Sequence, residues 1–196
     1  MEPLALLLTA AAIDGPDDRA RTVAAAQAGD REAFEQLLRQ YERLVLATAL
    51  RLLGNLEDAQ DAAQEVFLKL HRNLGKVQSS GNFAGWLYRV TVNVCHDQRR
   101  KKSEATSVGD VTDVVARVSD PQQELTEAER RRALDLSLRL LSPREREALV
   151  LRDLEGLSTA EVAAALNVTE ATVRSQISKA RVKVKAFIEE YFRRRT

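Results

Sequence analysis

From Arg31 onward, apolar residues recur at intervals of three and four: Phe34, Leu37, Leu38, Tyr41, Leu44 and Val45, with Thr48 and Leu52 completing the stripe. That period puts them on one face of a long helix. It begins after Gly29-Asp30, with Asp30 as N-cap, and stops at Gly54-Asn55. A second stripe, Ala59, Ala63, Val66, Phe67, Leu70 and Leu74, predicts a helix over about 56–73. Its first turns carry Glu57, Asp58 and Asp61, acids suited to the positive end of a helix dipole. After a loop at 75–82, Phe83, Trp86, Leu87, Val90 and Val94 mark the inward face of a third helix, which ends in the basic run Arg99-Arg100-Lys101-Lys102. Together these predict a small helical bundle.

The second half is punctuated more sharply. Ser142-Pro143-Arg144-Glu145 and Ser158-Thr159-Ala160-Glu161 each read as a capping box, the first with Pro at the opening helical position and the second with Leu157 as a staple. The intervals predict a helix over 143–153, a turn at Glu155-Gly156, a short helix over 159–166, a tight turn at Asn167 and a final helix from Glu170. Short helix, tight turn, basic helix is the order of a helix-turn-helix. Val162, Leu166, Val173, Ile177 and Ala180 supply its apolar contacts, Ala163 allows a close helix crossing, and Asn167 suits a left-handed backbone. With Val184 also turned inward, the opposite face of the last helix offers Arg174, Ser175, Ser178, Lys179 and Arg181.

Composition agrees with a helical chain: 196 residues, 44% hydrophobic and 30% charged, with only 8 Gly and 4 Pro, counts too low for a turn-rich sandwich or barrel. The expected fold class is all-α, two small helical domains joined by a linker, the second with the helix-turn-helix. Net charge is +1, but its distribution is uneven. Residues 24–65 sum to −4, residues 66–102 to +7, residues 103–128 to −5 and residues 129–196 to +5. Two basic surfaces are thus separated by an acidic connector, and local field rather than net charge sets a binding surface. The expected division is an N-terminal extension at 1–23, a bundle at 24–102, a flexible acidic linker at 103–123 that is also rich in valine, and a helix-turn-helix domain at 124–196.

The longest apolar stretch, Leu4 to Ile13, is about half of what spans a bilayer and has no basic residue ahead of it. Neither membrane insertion nor an export signal is expected, and a cytoplasmic location is. Cys95, the single cysteine, rules out an internal disulfide framework and reads as a small buried helix residue. His71 and His96 give no metal-ligand spacing, and Gly75, Gly81 and Gly85 fit neither a dinucleotide fingerprint nor a phosphate-binding loop. No cofactor, metal or enzymatic activity is expected.

Residues 28–34 (AGDREAF), 58–70 (DAQDAAQEVFLKL), 83–100 (FAGWLYRVTVNVCHDQRR) and 141–181 (LSPREREALVLRDLEGLSTAEVAAALNVTEATVRSQISKAR) resemble, in this order and at these separations, a bacterial RNA polymerase sigma factor of the extracytoplasmic-function (ECF) group. The resemblance implies a protein that docks on core RNA polymerase and directs it to promoters. It implies that the first domain reads and opens the minus-10 element as a single strand and that the second reads the minus-35 element as duplex. Asp58, Asp61, Gln64 and Glu65 would then face the polymerase. The minus-10 set carried over is Lys76, Ser79, Ser80, Asn82, Arg89, Asn93, Asp97, Arg99 and Arg100, with hydrogen-bonding groups for an extruded base and cations for phosphates. Phe83, Trp86 and Tyr88 are candidates to stack on bases, although Phe83 and Trp86 fall on the apolar stripe.

The minus-35 set is Thr172, Arg174, Ser175, Ser178, Lys179 and Arg181, of which Arg174 and Lys179 suit base edges, guanine above all. An anti-sigma factor is a further partner that the resemblance implies. Residues 1–23 and the connector lie outside the resemblance and are candidates to occlude a DNA-binding face. Two other readings fit the residues alone: a regulator that binds duplex DNA through its second half, and a protein-binding helical adaptor. Against the adaptor stand the basic final helix and the +7 segment.

Overall fold

A computed structural model of the chain describes residues 16–77, 83–105 and 127–194, and all secondary structure among them is helical. Helix α1 (Pro16–Gln27) packs Val23 and Ala26 against α2 (Arg31–Leu53). The boundary expected at residue 23 therefore falls inside a packed helix. Gln27 ties the end of α1 to the far side of the bundle, its side-chain amide donating to the carbonyls of Leu74 at 2.8 Å and Val77 at 2.5 Å.

Asp30 caps α2 by accepting from the backbone N–H of Glu32 and Ala33, and Gly54 closes it in the left-handed conformation at φ 85°. Ala33, Leu37, Tyr41, Val45, Thr48, Ala49 and Leu52 form the buried stripe, with Phe34, Leu38 and Leu44 at its edges. Helix α3 (Leu56–Asn73) buries Ala59, Ala62, Ala63, Val66 and Leu70, and a single 3₁₀ turn (Leu74–Lys76) follows it. Helix α4 (Phe83–Ala105) buries Phe83, Leu87, Tyr88, Val92, Val94 and Cys95, while Trp86 and Val90 are only partly covered. The basic run 99–102 lies near the C-terminal end of this helix, with Lys102 in its last turn.

Helix α5 (Glu127–Arg139) opens the described second half. Both capping boxes are formed, Ser142 with Glu145 and Ser158 with Glu161. Helix α6 (Pro143–Leu149) then widens into one π turn (Val150–Leu154), in which the N–H of Glu155 reaches back to the carbonyl of Val150. Helices α7 (Thr159–Leu166) and α8 (Glu170–Arg193) are joined through Asn167, which has φ 54° and ψ 50°. Val173, Ile177, Ala180 and Val184 are the buried row of α8.

The two halves pack against each other. Helix α6 and the π turn meet α2, and α7 meets α4, so that one contiguous apolar core runs through both. Residues 78–82, most of the expected linker and residues 1–15 lie outside the described residues. No described helix is long and apolar enough to cross a membrane.

Candidate nucleic-acid and polymerase interfaces

On α8 the apolar period fixes the outward row. Because Val173, Ile177 and Ala180 face the core, Thr172, Arg174, Ser175, Ser178, Lys179 and Arg181 all lie exposed on the face opposite that row. Thr169 starts the helix by accepting the N–H of Thr172, and the two hydroxyls are 2.9 Å apart. Arg174 makes a surface pair with Glu170 at 3.2 Å. Such a surface pair is worth little. Arg181 differs: both carboxylate oxygens of Asp153 on the π turn hold it, at 2.6 and 2.8 Å, and these bonds raise its pKa further. That geometry makes Arg181 a brace between the π turn and α8.

On α4, Arg89, Asn93, Asp97 and Arg100 are exposed at intervals of four, four and three, a single helical face. Asp97 lies 3.9 Å from Lys69 and 3.8 Å from Arg100. Lys76 is exposed at the end of the 3₁₀ turn. Ser79, Ser80 and Asn82 lie outside the described residues. Arg99 departs from the exposed face because one residue along a helix is a rotation of about 100°. Its guanidinium turns toward the second half and pairs with Glu147. Tyr88 is likewise removed from base stacking: it is buried and its hydroxyl donates to Glu155 at 3.0 Å. Burial, then the Glu155 carboxylate, pushes its phenol pKa up. Phe83 is buried against Tyr41 with ring centroids 5.0 Å apart, and Trp86 sits 6.3 Å from Phe83.

On α3, Asp61 and Gln64 are exposed and Glu65 half-buried, with the exposed Leu68 one turn on from Gln64. Asp58 stands apart from this row. Its backbone N–H donates to the cap residue Asn55 and its carboxylate accepts from Asn55 and Lys102, both at 2.6 Å. Burial pushes its pKa up, but these two donors outweigh that and hold it below the usual carboxylate value. Asp58 therefore ties the start of α3 to α4.

Two carboxylates that the residue pattern did not single out occupy the seam between the halves. Glu147 on α6 is fully buried and accepts from His96 at 2.5 Å, from Arg99 and from Arg144 at 3.5 Å. Glu155, at the end of the π turn, accepts from Thr48 at 3.0 Å, Arg51 at 2.5 Å and Tyr88 at 3.0 Å. The described residues contain no cluster of His, Cys, Asp or Glu able to hold a metal ion. Cys95 is buried, which pushes its thiol up to about 12.

Residues 37–105 match the family model for Sigma-70 region 2, and residues 131–184 match Sigma-70, region 4. The chain is 32% identical over 185 residues to the ECF RNA polymerase sigma factor SigE of Mycolicibacterium smegmatis, covering 91% of this chain and 72% of the relative. It is 35% identical over 167 residues to the ECF RNA polymerase sigma factor SigM of Mycobacterium tuberculosis, covering 84% and 82%. The fold is similar to that of the sigma factor RpoE of Bartonella quintana, solved with the anti-sigma factor NepR, at a TM-score of 0.67 and 24% identity over 80% of this chain and 96% of that one. With both sigma-70 regions matched in order and relatives above 30% identity covered over most of their length, the chain belongs to the ECF RNA polymerase sigma factors.

Proposed function

We propose that this sigma factor directs RNA polymerase to promoters by reading a minus-35 element through α8 and a minus-10 element through the outer face of α4 together with the loop before it. The observation that carries the reading is the outward row of α8. It is positioned by a capped, left-handed turn and holds Arg174, Ser175, Ser178 and Lys179 exposed opposite a fully apolar inner row. Arg174 and Lys179 are the groups for base edges, while Thr172 and Ser175 near the helix start suit phosphates or bases. Arg181 serves chiefly to set the angle of α8 through Asp153.

At the minus-10 element, Arg89, Asn93, Asp97 and Arg100 contact the opened strand, and Lys76, Ser79, Ser80 and Asn82 belong to the same set. Extruding a base costs a few kcal/mol, which strand binding offsets. Asp61, Gln64 and Glu65 dock on core polymerase, with Asp58 holding α3 to α4 beneath them. The chain acts as a transcription-initiation factor without catalysing a step of its own. An anti-sigma factor is a further partner, supported by the RpoE–NepR complex.

Two measurements on purified components test the assignment. Asp61→Arg combined with Gln64→Ala is expected to weaken co-purification with core polymerase and leave folding intact. Lys179→Ala in the reconstituted holoenzyme is expected to weaken promoter binding while core binding stays unchanged. Equal core binding by the α3 variant, or unchanged promoter affinity on losing Lys179, contradicts the corresponding surface.

A further inference from the structure

The seam between the halves is built from charge rather than from grease alone. Glu147 and Glu155 come from the second half, yet the groups that satisfy them come almost entirely from the first: His96, Arg99 and Tyr88 on α4, Thr48 and Arg51 on α2. Two guanidinium groups of the second half repay the arrangement at the C-terminus of α2. Arg146 donates to the carbonyl of Leu52 at 2.9 Å and Arg139 to that of Gly54 at 3.0 Å, where a helix end leaves carbonyls unpaired. Burial pushes the Glu147 carboxyl up, but His96 and Arg99 overcome this and hold it below the usual value, so it is an anion in the closed chain.

A seam of this kind differs from an apolar one. Its buried ions gain their partners only at the cost of hydration, which they recover when the halves part, so the charged part of the seam adds specificity more than cohesion. It also consumes cations: a guanidinium held by a buried carboxylate cannot at the same time neutralise a phosphate.

Resting on the promoter-reading role set out above, we propose that Glu147 and Glu155 form a two-point latch that keeps the free chain closed. In this latch the Glu147 carboxylate occupies the place on Arg99 and His96 that a DNA phosphate takes in the open chain. The closed chain is then a weak DNA binder by construction, and phosphate and carboxylate compete for one cationic site. Glu155 contributes to closure through Arg51, Tyr88 and Thr48 but does not compete with DNA.

The test uses the full chain without polymerase, a fluorescent mixed-sequence single-stranded oligodeoxynucleotide for affinity, and small-angle X-ray scattering for closure. Glu147→Gln with Glu155→Gln is expected to enlarge the radius of gyration. It should also tighten oligonucleotide binding by at least about tenfold, the factor by which a competent state populated one-tenth of the time weakens apparent affinity. Arg99→Gln is expected to open the chain as well, but without the gain in affinity, because the cation itself is gone. Exchanging the partners, Arg51→Glu with Glu155→Arg, is expected to keep the parental compact scattering curve and thereby separates the latch from general misfolding.

A double glutamine variant with parental scattering and parental affinity overturns the proposal. Arg99→Gln gaining as much affinity as the double glutamine variant overturns the competition. Because neither readout involves polymerase, failure of the latch leaves initiation assays unaffected, and failure of the promoter-reading role leaves the scattering result standing.

Discussion

Asn167 offers the cleanest separation of backbone from side-chain energy in the helix-turn-helix. It is the one non-glycine among the described residues with positive φ, it is exposed, and its amide side chain makes no hydrogen bond among them. What it contributes is conformation: its N–H caps α7 on the carbonyl of Ala163, and the N–H of Val168 reaches the same carbonyl at 3.0 Å. A left-handed residue costs an ordinary L-amino acid about 1–2 kcal/mol, of which asparagine bears the least. Asn167→Ala is therefore expected to destabilise by about 1 kcal/mol, equivalent to a drop in melting temperature of about 2–4 °C for a chain of this size. Asn167→Val, β-branched, is expected to lose about 2 kcal/mol or more.

Asn167→Gly relieves the conformational cost but adds freedom to the unfolded chain, worth about 0.4–1 kcal/mol, so it should sit near the parent. Calorimetric or denaturant melts of the three variants give the order, and binding of the reconstituted holoenzyme to promoter DNA should be parental for the glycine variant. If glycine destabilises as much as alanine, the side chain rather than the backbone holds the turn, and the reasoning fails.

Arg174→Ala in the holoenzyme should cost about 1–3 kcal/mol of promoter affinity and relax preference at one minus-35 position; equal loss on every promoter variant would instead identify a phosphate contact. Native Cys95, its thiol pushed up to about 12 by burial, should resist alkylation at pH 8 and react once the chain is unfolded; rapid labelling of the native chain would contradict its burial. Glu147, whose pKa is lowered in the folded chain, contributes stability that is fully present above its ordinary value of 4.5 and is lost as pH falls through the lower folded value. With His96 and Arg99 on α4 and Arg144 on its own helix facing it, Glu147→Gln should flatten the acid limb of a stability–pH curve; an unchanged acid limb would show that Glu147 carries none of it.

The elements that could be read from residues alone are those specified locally. The stripes of α2 and α3 follow the helical period, and the two capping boxes and Asn167 are punctuation confined to a few residues each. Helices α1 and α5 were not anticipated because their buried positions are few and small: Val23 and Ala26 in one, Ala133, Ser137 and Leu138 in a charge-dense other. Their faces acquire meaning only from the helices they cover. The same holds for the seam, whose bonds join residues 48 to 107 positions apart.

One trace of the seam was present in the pattern. Glu147 stands three, four and seven residues before Val150, Leu151 and Leu154, on a stripe otherwise wholly apolar, and a charge there needs a buried partner. On α8 the period sorted outward from inward residues, since Arg174, Ser175, Ser178, Lys179 and Arg181 are all exposed. It could not foresee that Arg181, Arg99 and Asp58 would be engaged by Asp153, Glu147 and Lys102, because each partner comes from another element.

Transcription in vitro from a library of randomised promoters, with the purified chain in the presence and absence of core RNA polymerase, tests the promoter-directing role most directly. Core-dependent initiation from templates enriched for paired minus-35 and minus-10 elements is the expected result. Enrichment of a single duplex site by the free chain, with no initiation when core polymerase is added, would contradict it.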